Sequence, residues 1–282
     1  MPANTFAKDD SARSPFAGCA IFIAAVLVMV FLIGFSVLTL FRQFNEIARF
    51  TEEKPVAVEV TSLENREPQL NELAERVEKF RQDLAGDTIA TLALSADDIN
   101  LAIASHDAFK ELRGTFRVTA ISGDAMRIAI SFPLNGRPRL AKEGEPGWIA
   151  SDNRFLNGTL VARPRLANKE VVLAIDAIEV PGKTVARGFI DQMSPYRLTE
   201  RYMADHEIGK VMAKLTRVEI DGDRIVLTRT PGETPAATIT DAQVDSGASR
   251  LFKVLGIAAC GFLAFAAVII LLGVRAKSRK SR

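Results

Sequence analysis

Two long apolar runs, one near each end of the chain, constrain its fold more than any other feature. The first covers Gly18 to Phe41 and the second covers Val254 to Val274, and neither contains a charged residue. A bilayer core of about 30 Å needs roughly 20 apolar residues in helical form, because lipid offers no hydrogen-bond partner to the backbone. Both runs meet that length. We therefore predict two transmembrane helices, residues 18–41 and 254–274, that tether the intervening sequence to one membrane.

Charge at the chain ends predicts the orientation. The last eight residues, 275–282, hold five basic side chains and no acidic one, which is typical of a cytoplasmic tail. Two spans place both termini on the same side, so the N-terminal tail (1–17) is expected in the cytoplasm as well. A cleaved signal peptide is a poorer fit to the first run, which is longer than the usual signal core of about 7–15 residues. The chain is predicted to be a two-pass protein of a bacterial inner membrane with an extracytoplasmic central domain.

Composition indicates which partners and which chemistry are not expected of the central domain. Between Arg42 and Lys253 there are 29 basic and 32 acidic residues, so no nucleic-acid partner is expected. The two cysteines, Cys19 and Cys260, both fall inside the apolar runs, which leaves the central domain without a disulfide. No phosphate-binding glycine loop, zinc-binding motif or nucleophile motif is present. We expect no cofactor, no metal and no catalytic residue, and the protein is predicted not to be an enzyme.

Residues 42–86 are predicted to form a connector and then an amphipathic helix from Glu67 to Ala85. Its apolar side chains recur at steps of three and four and are Leu70, Leu73, Val77, Phe80 and Leu84. The stripe covers barely two and a half heptads, which favours packing on its own domain over a dimer zipper. After a strand at Thr88 to Leu94, the run Ser95-Ala-Asp-Asp98 predicts a capped helix start.

From Gly114 onward the apolar period changes to two, which predicts three antiparallel hairpins. The first turns at Ser122-Gly123-Asp124, the second joins Phe155–Leu166 to Glu170–Val180, and the third joins Thr216–Ile220 to Arg224–Thr230. A helical stretch from Val185 to Leu215, broken before Pro195, separates the last two. No strand–helix–strand alternation is present. The fold class predicted for residues 87–230 is α+β: one antiparallel β-sheet of six or seven strands, covered by amphipathic helices and followed by a linker (231–253).

Three sets of residues are candidates for binding. One apolar sheet face could line a groove for a lipid or another apolar ligand, or could be a closed core; its residues are Met126, Ile128, Ile130, Phe132, Leu173 and Ile175. Trp148 follows a charged loop from Asn135 to Gly147, where it either anchors that loop on the core or lies at a membrane interface. Small residues recur every fourth position in the second span, at Gly256, Cys260 and Ala264, and predict a helix-packing face.

Several segments together resemble the YpmS-type bacterial envelope proteins. They are LALSADDINLAIAS, the FRVTAISGDAMRIAISFPL hairpin, RFLNGTL and VVLAIDAIEVPGKTVARGF, which cover roughly residues 92–229. Asn100 and Asn157 are the positions that match best. The second apolar run departs from the single N-terminal anchor usual in that family. The resemblance implies an extracytoplasmic α+β domain without an established activity.

Three functions are compatible with these features. The first is a non-catalytic binding module tethered to the membrane, with a lipid or another apolar molecule as its ligand. The second is a structural or scaffolding component that joins a membrane protein partner or a second copy of the chain. The third is an envelope hydrolase, which has the least support because no nucleophile–base pair is visible. An apolar tunnel would favour the first function, an exposed apolar patch the second, and a polar cleft with converging acids the third.

Overall fold

The first apolar run forms a helix that continues beyond its apolar part. In the computed structural model, which describes residues 15–235, helix α1 is Pro15–Phe50. Its segment Ala25–Phe50 is the one helix among those residues that is long and apolar enough to cross a membrane, a property that a signal sequence shares. The helix continues past Phe41, the predicted end of the span, and Ile47 and Phe50 of this continuation pack into the core of the following domain. The second predicted span, and its packing face Gly256, Cys260 and Ala264, lie outside the described residues.

The chain divides into two compact units, whose described parts are residues 15–42 and 43–235. The second unit contains four further helices and seven strands among its described residues. The helices are α2 (Glu67–Asp83), α3 (Ala96–Ser105), α4 (Arg187–Met193) and α5 (Ile208–Met212). The strands are β1 (Ala90–Ser95), β2 (Phe116–Ser122), β3 (Ala125–Leu140), β4 (Ile149–Ala167), β5 (Glu170–Glu179), β6 (Arg217–Asp221) and β7 (Arg224–Arg229). Short 3₁₀ turns lie at Asp107–Leu112 and Glu200–Tyr202.

The α+β class is confirmed, but the strands form two antiparallel sheets rather than the single predicted sheet. One has the order β2-β3-β4-β5 and the other the order β1-β7-β6. All three predicted hairpins are present, and the second turns at Asn168 and Lys169, which have positive φ angles. The sequence could not show that β1 pairs with β7, because more than a hundred residues separate them. Both sheets contribute to one hydrophobic core, in which Ile128, Leu156 and Leu160 are fully buried.

The helices cover this core as their apolar stripes predict. Leu73, Phe80 and Leu84 of the α2 stripe are buried, and two of them belong to the core, whereas Val77 is 42% exposed. Packing of α2 on its own domain is therefore confirmed. The stretch from Val185 to Leu215 is helical only in the short pieces α4 and α5, with the predicted break at Ser194-Pro195.

β3 and β4 also pair as an antiparallel hairpin, which the sequence did not predict. The strands continue to Leu140 and from Ile149, so six of the thirteen residues of the predicted loop Asn135–Gly147 belong to β3 in a paired β-arm, and the other seven form its tip. A register shift after Asn135 accommodates Gly136, where an added Cβ would lie 2.6 Å from the carbonyl oxygen of Asp152. Glycine and proline in this segment indicate a loop, but here they mark a β-bulge.

Candidate functional site

The outer face of the four-stranded sheet contains a shallow trough. One row of aligned residues crosses all four strands: Arg117 of β2 pairs with Ala129 of β3, Ala129 with Thr159 of β4, and Thr159 with Glu179 of β5. These side chains point away from the core, because their neighbours along each strand are buried. The two central side chains are small and the two end ones are long and charged. The row therefore forms a floor with a raised charged residue at each end.

A segment without helix or strand, residues 53–61, crosses the sheet beside this row and forms one wall of the trough; we call it the strap. Its backbone N–H groups at Val56 and Val58 donate to the side-chain oxygen of Asn157 (3.1 Å) and to the carbonyl oxygen of Gly114 (3.2 Å). The cavity between strap and sheet has a volume of about 840 Å³. Its apolar lining includes Val56, Val58 and Val180.

Asn157 holds the strap to the sheet. This amide is 8% exposed, and its nitrogen donates to the Lys54 carbonyl (3.0 Å) and the Glu52 carboxylate (3.2 Å). Its oxygen accepts from Val56 and from the Ser131 hydroxyl (2.8 Å). All the hydrogen-bonding positions of a buried amide are thus occupied, which is how such groups are normally accommodated. Asn157 positions one wall of the trough and does not offer free groups to a ligand.

The other asparagine singled out by the resemblance, Asn100, has a similar role elsewhere. It lies on α3, is 8% exposed, and its amide pairs with both backbone groups of Val118: the nitrogen donates to the carbonyl (2.7 Å) and the oxygen accepts from the N–H (2.9 Å). Val118 is the residue at which the β2–β3 register shifts. Asn100 therefore fastens α3 to the free edge of the sheet.

Charged side chains at the trough are held in ion pairs. Arg117 contacts the Glu59 carboxylate at 2.9 Å, and Arg127 holds both carboxylate oxygens of Glu179. These contacts lie at opposite ends of the row. Hydrogen bonds from Lys183 and Asn157 lower the pKa of Glu52 below its ordinary value. Among residues 15–235, no group of three histidine, cysteine, aspartate or glutamate side chains could hold a metal ion.

The predicted apolar ligand face lies mainly on the other side of this sheet. Met126, Ile128, Ile130, Phe132, Leu173 and Ile175 are at most 8% exposed and belong to the hydrophobic core. Ile130 also borders the trough. Sequence reasoning missed the outward row; the signal for it was the small size of Ala129 and Thr159 at solvent-facing strand positions.

Trp148 does not anchor its loop on the core, as one interpretation of the sequence expected. It is 90% exposed at the tip of the β3–β4 arm, beside Leu140 and Ile149, which are 81% and 72% exposed. The physical reason is that the arm continues beyond Phe132 and Leu156, the last residues of its two strands in the core cluster, so that no described part of the domain covers its tip.

Comparison with known proteins provides no relative: no protein-family model, no curated protein and no solved structure matches this chain. The resemblance to YpmS-type proteins stays a prediction.

Proposed function

We propose that this protein is a membrane-tethered, non-catalytic binding module of the cell envelope that holds an elongated apolar ligand, such as a lipid acyl chain, in the trough. The observation that carries the proposal is the aligned row from Arg117 to Glu179, with small residues at its centre and the strap beside it. Its cavity of about 840 Å³ lies within the range of ordinary small-molecule sites.

The lining indicates which ligand suits the trough. Valine side chains from the strap and from Val180 line it together with Ala129, so a narrow hydrocarbon chain would bury apolar surface against the strap and the floor. Burial of apolar surface contributes roughly 25 cal/mol per Å². Arg117 and Glu179, the charged residues at the two ends of the row, already have ion-pair partners. The ligand therefore does not need charged groups to pair with them. An amphiphile could lie along the row with its polar group at either end.

The ion pairs and hydrogen bonds of the polar side chains at the trough support binding rather than catalysis. General acid–base and nucleophilic mechanisms need a side chain that is free to exchange a proton or attack a bond. In the part of the trough that the structure describes, Arg117, Glu52, Glu179 and Asn157 are all engaged in ion pairs or hydrogen bonds within the protein. We therefore assign no catalytic residue.

Helix α1 would place this module at the membrane. We propose that it is an uncleaved anchor, that residues 254–274 form a second span, and that the basic tail keeps both termini in the cytoplasm. The binding domain then works on the opposite side, next to the bilayer that would supply an acyl chain. The resemblance to YpmS-type envelope proteins points in the same direction.

A second candidate function is scaffolding within a membrane complex. The exposed apolar tip of the β3–β4 arm favours it, because a partner protein or a second copy of the chain could cover Leu140, Trp148 and Ile149. The trough has no evident role in this alternative, which is why we place it second.

Filling the trough tests the proposal. The full-length protein is purified in mild detergent, and the lipids and proteins that accompany it are identified by mass spectrometry. Thr159→Phe places a ring on the trough floor, and we expect this variant to lose a bound lipid or other apolar molecule that the wild type retains. Thr91→Phe is the matched control, because Thr91 is an exposed strand residue of the other sheet. An identical set of bound molecules in both variants, at equal thermal stability, would contradict binding in the trough.

A further inference from the structure

The tip of the β3–β4 arm combines three large apolar side chains that no described part of their own domain covers. Leu140 and Ile149 are aligned partners on adjacent strands, and Trp148 immediately precedes Ile149 in the chain. They are 81%, 72% and 90% exposed. Isolated apolar residues on a surface are ordinary, but a contiguous group at the end of a projecting hairpin is typical of an interaction site.

The tip is built to present these side chains in one arrangement. The backbone N–H of Ala141 donates to the Trp148 carbonyl (3.0 Å), which closes the loop. The guanidinium of Arg139 holds both carboxylate oxygens of Glu145, each at 2.7 Å, and also contacts Asp152 at 3.0 Å. Hydrogen bonds from Arg139 and from the Lys142 backbone lower the pKa of Glu145 to about 2. A pre-organised tip loses little conformational freedom on docking.

The base of the arm lies along residues 45–52, at the C-terminal end of helix α1. Phe155 of β4 pairs with Glu52, Arg154 donates to the carbonyls of Thr51 (2.9 Å) and Ala48 (2.7 Å), and Arg137 on the opposite strand reaches Asn45. Positions closer to the tip of the arm thus contact residues of lower number, from Glu52 back to Asn45. Asn45 lies only four residues after Phe41, the end of the apolar run. The arm continues three residues beyond Arg137 to Leu140, about 10 Å at strand spacing.

We propose that this tip inserts into the headgroup region of the bilayer in which α1 is anchored, as a second membrane contact that fixes the orientation of the domain. Tryptophan suits this depth because its ring is apolar while its N–H can still reach water or lipid carbonyls. Leu140 and Ile149 would bury their side chains beside it.

The net charge of the tip indicates how it would contact the bilayer. Residues 137–152 carry three basic side chains, Arg137, Arg139 and Lys142, against three acidic ones, Glu143, Glu145 and Asp152. The tip therefore has no net charge with which to attract anionic lipid, and its insertion is driven by apolar burial. Binding is expected with zwitterionic lipid and with little dependence on salt, unlike that of a polybasic segment.

The single tryptophan of the chain provides the test. The full-length protein is reconstituted at low density in phosphatidylcholine vesicles, with and without lipid brominated near the top of the acyl chain. We expect Trp148 emission to be blue-shifted and to be quenched by the brominated lipid, equally at low and high salt. The double variant Leu140→Ser/Ile149→Ser should lose both the shift and the quenching.

The control is Val77→Ser/Ile89→Ser, which removes two exposed apolar side chains outside the strap that are distant from the tip in sequence (42% and 66% exposed). It should leave the emission of Trp148 unchanged. Emission typical of water would overturn the proposal. A blue shift without quenching by brominated lipid would also overturn the proposal, because it would mean that Trp148 contacts protein rather than lipid. If that blue shift grows with protein density in the vesicles, the contact is with a second copy of the chain. None of these results depends on the trough.

Discussion

At the scale of single residues, Asn100 and Asn157 show how a buried amide can replace missing backbone partners. Each is 8% exposed, and each hydrogen-bonds to backbone groups of another segment of the chain. Asn100 hydrogen-bonds to the N–H and the carbonyl of Val118 at the edge of one sheet. Asn157 accepts a hydrogen bond from the N–H of Val56 in the strap. An unpaired backbone group in a buried position costs free energy, so the asparagine is required by its site rather than by chemistry on a ligand.

We expect Asn100→Ala to destabilise the domain. The change leaves both backbone groups of Val118 without their partner, and each unsatisfied buried group costs about 1–3 kcal/mol. Thermal unfolding of the detergent-solubilised protein measures the effect. Asn153→Ala, at an exposed asparagine of β4, is the control and should be nearly neutral. If the two variants unfold at the same temperature, Asn100 does not hold α3 to the sheet.

Two glycines are expected to respond in opposite ways to the same substitution. At Gly158, beside the trough, an added Cβ would lie 2.4 Å from the Glu179 carbonyl oxygen, so Gly158→Ala must push β4 and β5 apart. A loss of about 1–3 kcal/mol is expected. Gly188 in α4 has nothing within 4 Å of an added Cβ, and Gly188→Ala should raise helix stability by up to about 1 kcal/mol. Unfolding free energies of the two variants check this; a loss at Gly188 as large as that at Gly158 would contradict it.

At the scale of elements, the start of α3 is a point where local sequence and tertiary contacts reinforce each other. Ser95 and Asp98 form a complete capping box, as their spacing predicts. Arg76 of α2 adds an ion pair to Asp98 at 2.5 Å, which the sequence did not indicate. Partial burial raises the pKa of Asp98, but the hydrogen bonds from the Ser95 backbone, Arg76 and the Ser95 hydroxyl outweigh it and hold the pKa below its ordinary value.

This lowered pKa predicts a pH-dependent contribution to stability. Because the folded pKa lies below the unfolded one, the ionised carboxylate contributes stability at every pH above the unfolded value of about 3.9. The contribution is lost as pH falls through the folded pKa. Unfolding of wild type and Asp98→Asn from pH 7 to pH 3 should show a constant gap down to about pH 4 and a narrowing gap below it. A gap that widens in acid would contradict the assignment; Asp97→Asn, at a more exposed carboxylate, should show a smaller gap.

In the β3–β4 arm, by contrast, the local sequence and the structure disagree. Its sequence contains the glycine, proline and charge typical of a loop, yet pairing across the arm and the contacts of Arg139 make it a strand pair. Local propensity is a weak prior where cross-strand hydrogen bonds and side-chain pairs are available.

At the scale of the whole molecule, the chain combines an apolar helix with a domain whose described surface offers both a trough and an exposed tip. A function at the membrane requires that this domain face one defined side of it. Protein reporters fused after Arg282 should signal a cytoplasmic position, and reporters at Gly144 an external one, because the basic tail favours the cytoplasm. Protease protection in spheroplasts is an independent measurement. A cytoplasmic signal from Gly144 would reverse the proposed orientation.

Sequence alone determined those features that depend on neighbours along the chain. The apolar runs, the capped start at Ser95, the α2 stripe and the three hairpins follow from periods of 3.6 and 2 and from short turn motifs. The same period of two separates the faces of β3, since Ile128 and Ile130 are buried and Arg127 is exposed.

Only the tertiary structure decided how these elements pair. The division into two sheets depends on β1 meeting β7, and the trough depends on four strands aligning Arg117, Ala129, Thr159 and Glu179 while the strap crosses beside them. Such contacts join residues up to about 140 positions apart, and no local pattern encodes their register. The exposure of Trp148 has the same origin: a local pattern identifies an apolar side chain, but only the packing of the whole domain decides whether any surface is left to cover it.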